Sequence, residues 1–337
     1  MRAAIFTAPY KLEINNWEMP RPAAGEVLVA VRAAGVSAGD MYIYQGKNPY
    51  AKYPVVGGHE IAGQVEAVGA GVTGLALGTP VVIEPFLGCG KCYACSVGKS
   101  NCCRNLQIIG VHKPGGFAEY VKAPVTHIHR IPAGLSMSTA SFAEPVAIGV
   151  QACRRGQVSK DEMVVILGCG PIGLALIEVV KALGAHPVAT DIRPERLTIA
   201  QKLGAETLPV DSHLLATILA RTNGDGAPVV IEATGDPKAM ESTVDLVAAG
   251  GRIVIVGLVK QGTMVNLPGL DFTRKEMTVV GSRASIHCFP EALELLASGK
   301  INYPKVASEF SLWEAPQVFT ELYTRPGAIH KAVLIND

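Results

Sequence analysis

Residues 163–191 constrain this chain more than any other stretch. Met163-Val164-Val165-Ile166-Leu167 is an apolar, β-branched run of the kind that forms a buried parallel strand. It breaks into Gly168-Cys169-Gly170-Pro171-Ile172-Gly173, after which residues 174–183 read as a helix closed by Gly184. Residues 187–190 form a second short strand, and Asp191 stands at its end. A strand, glycine turn, helix, strand and terminal acid in that order predict a dinucleotide site. Gly168 turns the chain, Gly170 admits a pyrophosphate, and Gly173 lets helix and strand close up, while free helix N–H groups face the phosphates. A bare glycine pattern is weak, and an ordinary βα turn is the alternative; the flanking elements favour the nucleotide. Asp191 is placed to accept hydrogen bonds from a ribose 2′-OH and to repel a 2′-phosphate, so NAD is expected over NADP.

The chain has 337 residues, enough for about two domains. With 36 glycines, 22 prolines and 49% hydrophobic residues it suits an α/β protein with a sizeable core. A net charge of +1 without a long charge run gives no sign of a nucleic-acid surface or a basic membrane face. No apolar run reaches the roughly 18 residues of a membrane span. The first residues lack a signal-peptide apolar core, so a cytoplasmic location is expected.

Residues 1 to about 140 alternate short β-like runs with glycine and proline turns, as in 27–31, 61–68 and 81–83. They predict a coiled or barrel-like β domain with few helices. Two sets of candidate metal ligands fall here. Cys89, Cys92, Cys95 and Cys103 can close a tetrahedron around Zn²⁺, which leaves no position for substrate and is therefore structural. Cys102 stands beside Cys103 and could replace it by a one-residue slip. Buried free thiols and an iron–sulfur cluster are the alternatives; the three-residue spacing and the hydrophilic loop disfavour them. The second set is His59-Glu60, an imidazole and a carboxylate just before a strand. Alone, such a dipeptide is more often a surface pair. It gains weight from Glu144, an acid in an apolar stretch, because a buried acid needs a partner and a metal is one.

Together these residues resemble the zinc-dependent medium-chain dehydrogenase/reductases, within the alcohol dehydrogenase superfamily, and among them the sorbitol dehydrogenase-like enzymes of polyols and sugar acids. The marks are Gly-His-Glu at 58–60, the four-cysteine lobe, Glu144-Pro145 and the glycine turn. Further marks are Asp191 with Arg196, Val256-Gly257-Leu258 and Gly281-Ser282-Arg283. Segments 48–54 and 109–117 resemble the bacterial hexonate-oxidising branch.

The resemblance implies a Rossmann doubly wound parallel sheet plus a β-rich, GroES-like catalytic domain. Its expected boundaries are 1–145 for the catalytic domain, 146–282 for the NAD-binding domain, and 283–337 for a return to the first. It implies NAD, a structural Zn²⁺ on the four cysteines, and a catalytic Zn²⁺ or other divalent ion near the cleft on His59, Glu60 and Glu144. It also implies a small polyol or sugar-acid substrate and a homodimer or homotetramer, with no nucleic-acid or membrane partner.

One departure stands out. The family has Cys-Gly-Ser/Thr-Asp where this chain has Ser37-Ala38-Gly39-Asp40. Ser37 thus replaces the thiolate ligand, and a hydroxyl binds zinc far less well. Gly39 replaces the relay hydroxyl. Asp40 is left to orient His59, and Tyr42 to carry a proton or simply to pack.

In the second half, residues 197–203, 229–232, 237–247, 253–256 and 277–281 continue the helix–strand rhythm. The strand-end loops at 233–235 and 257–258 are expected to line the cofactor crevice, with Pro171, Ile172, Val256, Gly257, Leu258 and Ser282. Arg196 either contacts the adenosine or is a solvated helix-start charge. Arg283 either grips a carboxylate or phosphate or forms an ordinary ion pair. Residues 331–335 are expected to rejoin the first domain, and Cys153, Cys169 and Cys288 to be core. The expected chemistry is metal-assisted oxidation of a secondary alcohol by NAD. An NAD(H)-binding sensor with an impaired metal site is the alternative.

Overall fold

The computed structural model describes residues 1–336. Its strands, in chain order, are β1 (Arg2–Ala8), β2 (Lys11–Asn16), β3 (Glu26–Gly35), β4 (Val55–Val56), β5 (Glu60–Val68) and β6 (Pro80–Ile83). Next come β7 (Phe86–Leu87), β8 (Gln107–Ile108), β9 (Tyr120–Pro124), β10 (Ile128–Arg130), β11 (Met163–Leu167) and β12 (His186–Asp191). The set ends with β13 (Glu206–Pro209), β14 (Ala227–Glu232), β15 (Val247–Ile255), β16 (Thr278–Gly281), β17 (Ser308–Ser311) and β18 (Ala332–Ile335).

The chain divides into two compact units. The first comprises Met1–Pro145, Ser285–Gly299 and the chain from Pro304 on; the second comprises Val146–Ala284 and Lys300–Tyr303. In the first unit one sheet runs β10-β6-β5-β3-β18-β17, with β9 also on β3, and a smaller one runs β2-β1-β4. Near-continuous apolar runs bury β1, β3, β5 and β6 on both faces, with a core around Phe6, Val29, Ile61, Phe117 and Phe319. The long strand β3 carries the architecture, because β5, β9 and β18 all pair with it. The run at 331–335 therefore becomes a strand of this sheet, antiparallel to β3.

The second unit is a parallel six-stranded sheet in the order β13-β12-β11-β14-β15-β16. Counted from β11, that is the 3-2-1-4-5-6 order of a doubly wound fold, whose direction switches between β11 and β14. Val165, Val188, Val230 and Ile253 fill its core. The helix after β11 runs Pro171–Ala182, so it starts three residues before the expected Leu174. Proline at the first helical position, with its fixed φ and no N–H to satisfy, explains the earlier start. Strand β13 and the helix Leu214–Arg221 are not among the expected elements: β13 has only four residues of mixed polarity, and the helix, though apolar along one face, is only eight residues long. No helix among the described residues is long and apolar enough to cross a membrane.

Candidate metal centre and dinucleotide site

The four-cysteine lobe lies between β7 and β8, and its four sulfurs are within 4.8 Å of one another. Cys92 Sγ is 3.6 Å from Cys95 Sγ and 3.7 Å from Cys103 Sγ. A tetrahedron with Zn–S bonds of about 2.3 Å needs sulfurs about 3.8 Å apart, so the set is already folded for the ion. The backbone N–H groups of Cys89 and Asn105 point at Cys103 Sγ, at 3.2 and 3.3 Å. Those of Cys95 and Arg104 draw the Cys92 thiol down to about 6, toward the thiolate a metal requires. Cys102 is exposed and outside the cluster, so the structure resolves the one-residue ambiguity in favour of Cys103. Cys103→Ser is expected to release the lobe's ion and Cys102→Ser to leave it bound. Metal content per chain after dialysis measures both.

The second set gathers at the edge of β3 and β5. Ser37 caps the short helix Ala38–Tyr44: its Oγ accepts from Asp40 N at 3.1 Å and donates to Asp40 Oδ2 at 2.7 Å. Asp40 is fully buried; it takes Ser37 N on Oδ2 and Gly58 N on Oδ1, at 2.9 and 3.0 Å. Its Oδ1 lies 3.7 Å from His59 Nδ1. Asp40 thus faces one imidazole nitrogen and leaves Nε2 as the nitrogen open to a metal, the arrangement that orients ligating histidines. The replaced family residue, Ser37, stands close by: a Cβ on Gly39 would lie 3.3 Å from both Ser37 Oγ and His59 Cε1.

Glu60 starts β5, buried, and its Oε1 accepts from Lys331 Nζ at 2.6 Å. Lys331, equally buried, also donates to Val36 O at 3.0 Å and lies 5.7 Å from the Phe142 ring centroid. Removing one partner of such a pair alone costs about 3–5 kcal/mol. Glu60 Oε2 and His59 Nδ1 are buried without a hydrogen-bond partner. Glu144 opens the helix Ala143–Arg155 and is also buried. Burial, reinforced by Glu60 and Asp40, pushes its carboxyl up to about 7. Burial works against a charged His59, but Asp40, Glu144 and Glu60 outweigh it and raise the imidazole.

These residues fit a divalent cation. Three buried carboxylates, Asp40, Glu60 and Glu144, face one buried ammonium, Lys331. The surplus of acids over ammonium, which without metal is relieved by a proton on Glu144, is what a divalent ion satisfies. The donors are not gathered as tightly as the thiols: among the described residues only the cysteines meet as a ready cluster. Lys331 engages only Oε1 of Glu60, which leaves His59 Nε2, Glu144 and the unpartnered Glu60 Oε2 as the protein donors best placed to ligate. Tyr42, on the same short helix as Asp40, is more than half exposed.

In the second unit Gly168 adopts φ +100°, which only glycine tolerates, and a Cβ on Gly173 would collide with Gly168 O. Beside Gly170 there is open space, with no atom within 4 Å of where its Cβ would stand. Gly170 caps the helix without a side-chain bond, so the N–H groups of Ile172 and Gly173 face outward for an anion. Asp191 ends β12, its Oδ2 accepting from Cys169 N at 2.8 Å and its Oδ1 from Arg193 N at 2.9 Å. Arg196 Nη1 pairs with Asp191 Oδ2 at 3.4 Å, an ion pair that neither expectation for this arginine included. Cys169 is pushed up to about 12 by burial and by Asp191, so this thiol is inert.

Val256 and Gly257 follow β15 half-buried, and Leu258 is largely exposed. Ser282 is buried with its hydroxyl unpartnered, and Arg283 is exposed. The residue that sequence reasoning missed is Lys331. Its signal was a charge abutting an apolar β run, which was read only as a strand.

Two family models match the chain. The alcohol dehydrogenase GroES-like domain covers residues 23–133, and the zinc-binding dehydrogenase model covers residues 171–298. Among curated proteins, the starvation-sensing protein RspB of Escherichia coli K12 is 34% identical over 94% of this chain and 96% of its own. L-Galactonate-5-dehydrogenase of the same strain is 37% identical over 89% of this chain and 88% of its own. Among solved structures, an alcohol dehydrogenase (rspB) of Escherichia coli CFT073 with bound NADH matches with a TM-score of 0.92. It is 31% identical, and the match covers 100% of this chain and 99% of that one.

Proposed function

We propose, from the premise that the chain belongs to the zinc-type alcohol dehydrogenase family, that it oxidises a secondary alcohol of a polyol or sugar acid to the ketone with NAD. The observation that carries this reading is the group of three buried acids around His59 with a single buried ammonium among them, a donor set suited to a divalent ion. The likeness to L-galactonate-5-dehydrogenase supports a sugar acid as substrate. Asp191, an anion fixed by two backbone N–H groups, supports NAD over NADP. A cytoplasmic homodimer or homotetramer belongs to the same reading, since β16 is an edge strand and its Val279 is exposed.

A divalent ion on His59 and Glu144 supplies Lewis-acid polarisation that lowers the pKa of the alcohol. NAD supplies the hydride acceptor. The chain's own residues hold these partners in place. Asp40 faces His59 Nδ1, and Lys331 neutralises Glu60 so that the pocket's charge matches one divalent ion. The turn at 168–173 and the open helix terminus bind the pyrophosphate. Gly39 offers no hydroxyl to the proton's exit, so the proton leaves through solvent or the exposed Tyr42 hydroxyl.

The test is NAD reduction with a panel of polyols and sugar acids, before and after chelation and after adding back Zn²⁺ or Mn²⁺. Turnover that chelation abolishes and metal restores is expected. No turnover with any metal would reject the enzyme reading. Ser37, which caps a helix where relatives supply a thiolate, favours a second reading: an NAD(H)-binding sensor, with the likeness to RspB in its support. That reading expects about one ion per chain, on the cysteines, whereas the enzyme expects about two.

A further inference from the structure

Glu232, outside the metal pocket, is a buried acid that the mechanism above does not use. It ends β14 and is fully buried. Its Oε1 accepts from Thr234 N at 2.6 Å, from Gly235 N at 2.9 Å and from the Thr234 hydroxyl. Its backbone carbonyl accepts from Val256 N at 2.9 Å and Gly257 N at 3.1 Å. The other carboxylate oxygen, Oε2, is buried without a hydrogen-bond partner. A Cβ on Gly257 would stand 2.5 Å from it, so only glycine fits beneath this oxygen. Thr234, held twice by Oε1, sets its methyl group 2.6 Å from where a Cβ on Gly168 would be.

A carboxyl group is costly to bury, and an apolar side chain would fill the same space at less cost. What the acid adds is its set of hydrogen bonds. These fasten the loop after β14 and set the Thr234 methyl group against the turn after β11, while Oε2 packs over Gly257 in the loop after β15, a loop held also by the backbone carbonyl. The three strands are neighbours in the sheet, β11-β14-β15, and their carboxyl ends flank its switch point.

We infer that Glu232 is a positioning residue for the dinucleotide. It holds the loops at 168, 234–235 and 256–257 in one fixed cradle, acting through Thr234 and Gly257 without touching the ligand. This rests on the reading that the second unit binds NAD(H). Hydrogen bonds to a charged group contribute about 1.5 kcal/mol or more each, and 1.4 kcal/mol is a tenfold change in affinity.

The experiment titrates NADH into the full-length protein by fluorescence and follows amide exchange by NMR. Glu232→Leu is expected to raise the Kd for NADH about tenfold and the KM for NAD in step, with kcat at saturating NAD within about twofold. The amides of Thr234 and Gly235 exchange faster in this variant, in the absence of cofactor. Glu232→Gln keeps an acceptor at Oε1 and is expected to rescue binding to within about threefold of the native chain. An unchanged Kd in Glu232→Leu, with only melting temperature lowered, would overturn the inference. Should that variant not fold, Thr234→Val decides: a Kd raised about threefold supports the cradle and an unchanged one overturns it. If the native protein itself gives no saturable NADH signal, the cofactor reading fails. Amide exchange alone then decides: slow Thr234 and Gly235 amides in the native chain that quicken in Glu232→Leu keep the brace, and equal rates overturn it.

Discussion

His59→Ala is expected to take the metal content from about two ions per chain to about one and to lower NAD-linked turnover by roughly 10³-fold. The imidazole is one of three protein donors left open, with Glu144 and Glu60 Oε2, since Ser37 is tied into its capping box and Lys331 takes only the other oxygen of Glu60. Losing it leaves two carboxylates, fewer ligands than the three that catalytic zinc sites draw from the protein. The ion on the cysteine lobe stays, because its four sulfurs form a separate closed site. NADH binding is also expected to stay, which separates loss of metal from loss of fold. The companion variant, Ser37→Cys, restores a thiolate beside His59 and is expected to slow loss of the second ion to a chelator. Retention of both ions in His59→Ala, measured by elemental analysis, would remove the pocket from the mechanism.

The second large effect is on stability against pH. In metal-free protein the Glu144 carboxyl lies at about 7 against an ordinary 4.5, chiefly through burial. Between these two values the folded chain holds a proton that the unfolded chain has released. Stability therefore falls as pH rises from about 4.5 to about 7. His59, also raised, acts in the same sense: its contribution is complete below its ordinary value of 6.5 and is lost as pH climbs through the folded one. The Glu144 displacement alone amounts to roughly 3 kcal/mol, or on the order of 10 °C in melting temperature. Saturating Zn²⁺ or Mn²⁺ replaces the protons on Glu144 and His59 and is expected to abolish the decline, with about two protons released per ion bound near pH 6. Protein stripped at the pocket but loaded at the cysteines is the sample to melt. A flat melting temperature from pH 5 to 8 in that sample would mean that the three acids do not share a buried field.

What the sequence made legible was local. Residues 163–191 lie within one strand–turn–helix–strand unit, and Gly173 answers to Gly168 five residues away. The cysteine lobe was legible because its ligands fall within one loop, and even there geometry was needed to choose Cys103 over Cys102. Ser37 was read as a missing ligand, though Ser-x-x-Asp is also a helix-start pattern, and the structure shows both hydrogen bonds of that box. The Glu60–Lys331 pair was not legible. The two residues are 271 positions apart, and nothing local in either segment names the other. Glu232 escaped notice because an acid at a strand end looks like solvent-facing polarity until burial is known.

The separation between Glu60 and Lys331 also bears on biosynthesis. On the ribosome, Asp40, Glu60 and Glu144 emerge long before the lysine, and the whole of the second unit's sheet is translated in between. Until β18 docks on β3, the nascent pocket is a trio of acids with no internal counter-charge. The Glu60–Lys331 pair can thus form only after the second unit's sheet has been translated.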